Sequence, residues 1–210
     1  MEERKQHWEN IYGHKQPNEV SWTQEVPETS MKFINSFNLP KTAKIIDIGG
    51  GDSKLVDFLV EEGYQNVTVL DISEKALERA KTRLGDKADQ VTWIASDVLD
   101  FVPEEKYEVW HDRAAFHFLT TTDQIANYLN TAENAVGKNM VIGTFSENGP
   151  LKCSGLPIKQ YSEAELQATL AKGFEKINCI TEDHITPFGT TQNFLFCSFL
   201  KREVQQKGQD

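Results

Sequence analysis

The stretch Lys44-Ile-Ile-Asp-Ile-Gly-Gly-Gly-Asp-Ser53 decides the fold. Ile45 to Ile48 is a β-branched run that ends in glycines, which predicts a short buried strand entering a tight turn. Gly49 and Gly51 permit backbone angles closed to other residues and let the main chain approach a ligand. Leu55, Val56, Leu59 and Val60 follow at helical spacing, so a helix leaves the turn with its first amides aimed at the same spot. A strand, a glycine turn and a helix in that order make a nucleotide-type binding unit.

Two kinds of ligand are excluded by what surrounds the glycines. A dinucleotide turn, G-x-G-x-x-G, needs a third glycine for close helix–strand packing, and Lys54 stands at that position. A phosphate-cradling loop needs Gly-Lys-Ser/Thr after four spacers, and the chain has none. Asp47 and Asp52 flank the turn instead. Carboxylates there repel a pyrophosphate and favour a ligand that carries positive charge.

Further acids fall at matching places. Val67-Thr-Val-Leu-Asp71 is a second apolar strand, and its acid lies 24 residues after Asp47 (71 − 47). A carboxylate there can accept hydrogen bonds from both hydroxyls of a ribose. Val91-Thr-Trp-Ile-Ala-Ser-Asp97 is a third strand, ending in an acid that can accept an adenine amine. With Asp47-Ile-Gly-Gly-Gly51, Leu70-Asp-Ile-Ser73, Ala95-Ser-Asp-Val98 and Trp110-His-Asp-Arg113, the chain resembles the class I S-adenosylmethionine-dependent methyltransferases from about residue 30 to 200. S-adenosylmethionine has no phosphate and carries an ammonium and a sulfonium, in keeping with the acids around the turn. The resemblance implies this cofactor, with S-adenosylhomocysteine as product. It implies that Trp22, Asp47, Gly49, Gly50, Gly51, Asp71, Ile72, Asp97, Val98 and His111 bind it.

The expected fold is α/β: a Rossmann-like, doubly wound, mostly parallel seven-stranded sheet with helices on both faces. Ser73 caps a helix with Ala76, Leu77, Ala80 and Leu84 on its buried face, and Gly85 ends it. Such βαβαβ alternation requires a parallel sheet with ligands at the carboxyl ends of the strands. Phe174 to His184 and Gln192 to Lys201 read as a C-terminal antiparallel hairpin, the hallmark that the resemblance implies. Residues 1–210 read as one domain: an N-terminal helical lid (1–40), a core (41–202) and a disordered tail (203–210). Within it, a polar helix over 3–13 is expected to stop at Gly13, a helix from Thr122 to stop at Gly137, and 146–157 to form a lid-like loop.

The fourth strand, Lys106 to Asp112, ends where the methyl group lies in the resembled family. It carries His111-Asp-Arg-Ala-Ala-Phe-His117 where amine and glutamine methyltransferases have an Asn/Asp-Pro-Pro-Tyr motif, which counts against those substrates. Asp112-Arg113 resembles the Asp-Lys/Arg-Gly of some eukaryotic lysine methyltransferases, with Ala114 in place of the glycine. Trp22, the glycine turn and Asn66-Val-Thr are loosely similar to the elongation-factor lysine methyltransferases. Candidate catalytic residues are His111, Asp112, Arg113 and His117. An imidazole can take a proton from a nucleophile. The plainer alternatives are strand-end hydrogen bonding for His111, a loop–helix face for His117, and pairing with Asp112 or with an anionic substrate group for Arg113. Gly149-Pro, Cys153-Ser-Gly-Leu, Tyr161 and His184-x-Thr-Pro-x-Gly-x-x-Gln192 resemble a mostly prokaryotic subgroup. They place His184 and Gln192, with Trp22 and Arg113, on the substrate side.

The net charge of −10, from 22 basic and 32 acidic residues, argues against a nucleic-acid backbone as main partner. The sequence shows no apolar signal core and no run of membrane-spanning length. Cys153, Cys179 and Cys197 suit a reducing, cytoplasmic compartment with no structural disulfide. No motif demands a metal. The expected partner is a small-molecule or protein-lysine substrate, and the oligomeric state is left open. A reading of another class is a non-catalytic cofactor-binding partner subunit.

Overall fold

Seven strands form one twisted sheet in a computed structural model of the chain, which describes residues 2–203. Helices α1 (Glu2–His14) and α2 (Glu28–Ser36) precede β1 (Lys44–Ile48), α3 (Leu55–Glu61), β2 (Asn66–Asp71), α4 (Glu74–Leu84) and β3 (Val91–Ala95). Then come β4 (Tyr107–Arg113), α5 (Thr122–Ala135), β5 (Val136–Phe145), a small hairpin of β6 (Lys152–Cys153) and β7 (Leu156–Pro157), α6 (Glu163–Leu170), β8 (Phe174–Ile185) and β9 (Thr191–Lys201). The strand order is β3-β2-β1-β4-β5-β9-β8, and only β9 runs against its neighbours. The sheet therefore has the expected terminal hairpin. Its direction of winding reverses between β1 and β4, which opens a crevice at their carboxyl ends.

Register sets what each face carries. Asp47 pairs with His111 and Ile48 with Asp112, so Asp47 and His111 share one face while Ile48 and Asp112 share the other. The first face is covered by α2 and α3 through Met31, Ile34, Leu55 and Leu59. The second is covered by α5 and α6 through Trp110, Tyr128, Leu166 and Phe199. Capping fixes where the helices begin. Ser73 Oγ accepts the Ala76 amide at the head of α4, and Thr121 and Gln124 form a reciprocal capping box on α5.

Several expectations are corrected. Gly13 lies inside α1, which runs to His14. Gly137 lies inside β5, because α5 ends at Ala135 with Val136 already extended. The loop at 146–157 contains the β6–β7 hairpin. Cys179 and Cys197 are bonded to each other, against the expectation of no disulfide. The β8–β9 register places them directly opposite, with Cα atoms 4.1 Å apart, a proximity that chain spacing does not reveal. The compartment expectation loses the support that it took from these thiols. No helix among the described residues is long and apolar enough to cross a membrane. The tail expectation falls, beyond Glu203, outside the described residues.

Candidate active site

A cavity of about 390 Å³ lies at the carboxyl ends of β1, β2 and β4 and beside the turn after β3. The glycine turn forms its floor. Gly49 and Gly51 have φ of +63° and +45°, which a side chain would oppose. A Cβ on Gly50 would lie 2.6 Å from Asp47 Oδ2 and 2.8 Å from Val69, and one on Gly51 would lie 2.8 Å from Asp71 Oδ2. The turn is glycine-rich because two carboxylates press against its backbone.

Those carboxylates differ in what they hold. Asp71 is buried, and its Oδ1 accepts the Ser73 amide at 2.7 Å. Burial pushes its pKa up to about 7. Asp47 Oδ1 accepts from His111 Nδ1 at 2.7 Å, and Nε2 of the same ring meets Ser30 Oγ at 2.9 Å. With Nδ1 as the donor, the neutral ring accepts the serine proton at Nε2. Asp52 was read as a second free acid, but Arg83 and Arg79 pair with it and Arg83 also binds Asp57. Its charge therefore braces the turn against α4 and does not face the cavity unpaired. Asp97 Oδ1 accepts the Leu99 amide at 3.0 Å, while Oδ2 is paired with Arg4 from α1.

The N-terminal segment roofs the cavity. Trp8 and Trp22 ring centroids are 5.7 Å apart, Trp8 and Phe118 5.1 Å, and Tyr12 and Trp22 6.3 Å. Trp8 lines the cavity together with Trp22. Two side chains, half-buried Arg113 and buried His184, grip this segment from below. Arg113 Nη1 donates to the Trp22 carbonyl at 2.9 Å, and His184 Nε2 donates to the Ser21 carbonyl at 2.7 Å. Arg4, Tyr12 and Phe118 also line the cavity and were not singled out in the sequence. The four-residue spacing of Trp8 and Tyr12 on α1 was the only signal of such a role.

The far end of the cavity is formed by Arg113, Ala114, Phe118, Cys153, Leu156 and Pro157. Ala114 stands at φ +69°, the left-handed conformation that glycine adopts freely. Burial lowers the Arg113 pKa to about 10 and raises that of the Cys153 thiol to about 11, so Cys153 is protonated at neutral pH. Two expected catalytic residues lie elsewhere. Asp112 faces the opposite side of the sheet, where it accepts the Ala115 and Phe116 amides at 3.0 Å and the Tyr128 hydroxyl at 2.8 Å. His117 is fully buried against Phe118 and Phe145, outside the cavity lining, with its pKa lowered to about 3 by desolvation and then by Arg113. His184 and Gln192 do not line this cavity. They are opposed on β8 and β9, and His184 faces a second recess beside Pro17 and Gln24. Asp47, Asp71, Ile72, Asp97, Val98, His111, Trp22, Arg113, Gly49 and Gly50 are brought together around the main cavity, with Gly51 just behind Tyr12.

Residues 45–138 match the family profile described as a methyltransferase domain. The mouse (Mus musculus) eEF1A lysine and N-terminal methyltransferase is 27% identical over 123 residues, covering 56% of this chain and 17% of that protein. The malonyl-[acyl-carrier protein] O-methyltransferase of Anoxybacillus flavithermus is 30% identical over 105 residues, covering 49% and 39%. The chain thus spans well under two thirds of the length of the curated relatives that it matches. Among solved structures, an S-adenosylmethionine-dependent methyltransferase from Anabaena variabilis superimposes with a TM-score of 0.73 at 14% identity, covering 96% of this chain and 94% of that one. The magnesium protoporphyrin IX methyltransferase of Synechocystis with bound S-adenosylhomocysteine gives 0.69 at 18%, covering 94% and 93%. The glycine turn, the sheet order with its terminal hairpin, and the matched profile agree: residues 45–138 of this chain match a methyltransferase domain, and the chain shares its fold with solved S-adenosylmethionine-dependent methyltransferases.

Proposed function

We propose that the protein transfers a methyl group from S-adenosylmethionine to a small-molecule acceptor held in the roofed cavity. The observation that carries this reading is the set of strand-end carboxylates, Asp47, Asp71 and Asp97, around a glycine turn. The residues fit the cofactor. Asp71 would accept both ribose hydroxyls and Asp97 the adenine amine, with Ile72 and Val98 as apolar neighbours. Gly49 and Gly50, where a Cβ would collide with Ala115, Asp47 and Val69, would bring bare backbone beside the Asp47 carboxylate to receive the methionine ammonium. When bound, S-adenosylmethionine supplies an electrophilic methyl on its sulfonium.

The chain's own contribution is positioning, exclusion of water and local proton handling. Trp8, Trp22 and Phe118 close the cavity over the reacting centre, which lowers the entropic and solvation barriers to an in-line displacement. Asp47 orients His111, whose Nε2 can accept a proton when the Ser30 hydroxyl turns away. Asp97 exchanges Arg4 for the adenine amine as α1 adjusts.

A protein acceptor is the second reading, supported by the activities for which the mouse relative and the human N-terminal Xaa-Pro-Lys N-methyltransferase 1 are named. The aromatic roof favours the small acceptor, because a protein side chain would have to pass it. Calorimetric titration with S-adenosylmethionine, S-adenosylhomocysteine and NAD in parallel tests the cofactor assignment. Binding of the first two alone is expected, and binding of NAD alone would refute it. Tight binding of S-adenosylmethionine with no turnover on any acceptor, together with a stoichiometric partner that co-purifies, would point to a non-catalytic partner subunit.

A further inference from the structure

Five cations line the cavity. Arg4, Lys54, Arg79 and Arg83 are each paired with an acid, whereas Arg113, beyond His111 from the glycine turn, makes no ion pair among the described residues. Its guanidinium is held rigidly. Nη1 donates to the Trp22 carbonyl at 2.9 Å, and the plane lies over the Phe194 ring with its centre 4.7 Å from the centroid. The opposite edge, Nε and Nη2, is buried with no hydrogen-bond partner among the described residues. That edge presents two parallel N–H groups at the spacing of the two oxygens of a carboxylate. Glu182 is the acid whose charge acts most strongly on Arg113, yet it makes no ion pair with it. Its Oε2 accepts from the Thr29 hydroxyl, and its Oε1 is also buried without a partner. A buried cation left without a counter-ion is costly to the fold, and a ligand that supplies the anion removes that cost.

We propose that Arg113 determines acceptor specificity and that the methyl acceptor is a small organic acid. Its carboxylate would pair with the Nε–Nη2 edge, and its apolar body would lie among Trp22, Phe118, Leu156 and Pro157. This deepens the methyltransferase reading and rests on it. The pairing pattern orients such a molecule: the cations near the glycine turn are already neutralised by acids, and Arg113 is the lining cation left to attract the carboxylate. The end away from the carboxylate then points toward His111 and the donor side. The same pattern disfavours a lysine side chain, whose cation Arg113 would repel.

The test uses the full chain saturated with S-adenosylhomocysteine. Benzoate, phenylacetate and hexanoate are titrated by calorimetry beside benzamide, phenylacetamide and hexanamide. At least one acid is expected to bind where its amide does not. Arg113→Lys keeps a charge but loses the fork, and should weaken that acid by about tenfold or more, with S-adenosylhomocysteine kept saturating for the variant as for the parent. Arg113→Met should abolish acid binding, and the lysine variant keeps the test decisive if the methionine variant misfolds. Equal binding of acids and amides, or acid binding unchanged in Arg113→Lys, would overturn the proposal and leave the methyltransferase reading standing. Failure of S-adenosylhomocysteine to bind would overturn that reading first. A double-mutant cycle of Arg113→Lys and Glu182→Gln on the ligand-free protein gives a further check. Strong stability coupling between them would mean that Glu182 serves this edge, which would also overturn the proposal.

Discussion

Replacing Asp71 by Asn should move stability and binding in opposite directions. In the folded protein the carboxyl titrates near pH 7 instead of 3.8, because burial opposes its ionised form. At about 1.36 kcal/mol per pH unit, holding the ionised group at pH 8.5 costs the ligand-free protein an energy of order 4 kcal/mol. The amide retains the acceptor for the Ser73 hydrogen bond and carries no charge. Part of the relief is lost to burying the new amide donors, so a gain of at least ~1 kcal/mol is expected, or roughly 2–4 °C in Tm for a chain of this length. The sign follows from linkage. A raised carboxyl pKa makes the native protein less stable as pH rises from about 4 to 7, and the variant should lack that decline. Binding behaves otherwise. Charge-assisted hydrogen bonds to two ribose hydroxyls are lost, and S-adenosylhomocysteine should weaken by about 10–100-fold at pH 8.5. Differential scanning calorimetry without ligand and isothermal titration with it measure both effects on one sample. An unchanged Tm together with an unchanged Kd would refute both the burial argument and the ribose assignment.

Gly50→Ala should abolish S-adenosylhomocysteine binding and cost about 1–3 kcal/mol in urea unfolding, because its Cβ would meet Asp47 and Val69 at 2.6 and 2.8 Å. Ala114→Gly should leave stability unchanged or raise it by up to ~1 kcal/mol, since it relieves a left-handed alanine at φ +69°; a clear loss would contradict that backbone conformation. His117 takes up no proton in the folded protein until about pH 3, whereas the unfolded chain does so near 6.5. It therefore adds stability above pH 6.5 that is lost as pH falls toward 3. His117→Asn should flatten that part of the acid-unfolding curve, and an unaltered curve would show that the ring is not buried neutral.

Asp47, Asp71 and Asp97 were legible in the sequence because each ends an apolar run beside a glycine or a helix cap, and the topology of such runs leaves their ends together. The terminal hairpin was legible for a similar reason: a long amphipathic strand and a long apolar one, with a proline- and glycine-bearing turn between them, can hardly do otherwise than pair. His111 and Asp112 mark a place where more was available than was used. Adjacent strand residues point to opposite faces, so both could not face one cavity, and Ile48 beside Asp47 already indicated which face was polar. The Cys179–Cys197 bond needed the hairpin register, which the turn at 186–190 sets and the spacing does not. The Arg4–Asp97 pair joins residues 93 apart through the packing of α1, and local pattern carries no trace of it. Gly137 was misread because a helix stop and a glycine in a strand look alike when helix and strand abut.

The way α1 lies across the crevice has a kinetic consequence. With adenine in place of Arg4 on Asp97, the helix is still tethered by the Lys5–Glu74 ion pair and by Glu9 accepting the Glu74 amide. On the proposed function, a spent cofactor roofed by Trp8 and Tyr12 would leave only as fast as that helix lifts, so the helix would act as a turnstile and the chemical step need not set the pace. Such tethers weaken as ions screen them. Moderate salt should therefore quicken multiple turnover while leaving a single turnover untouched, and the enzyme's tempo would be written in a segment that takes no part in the chemistry.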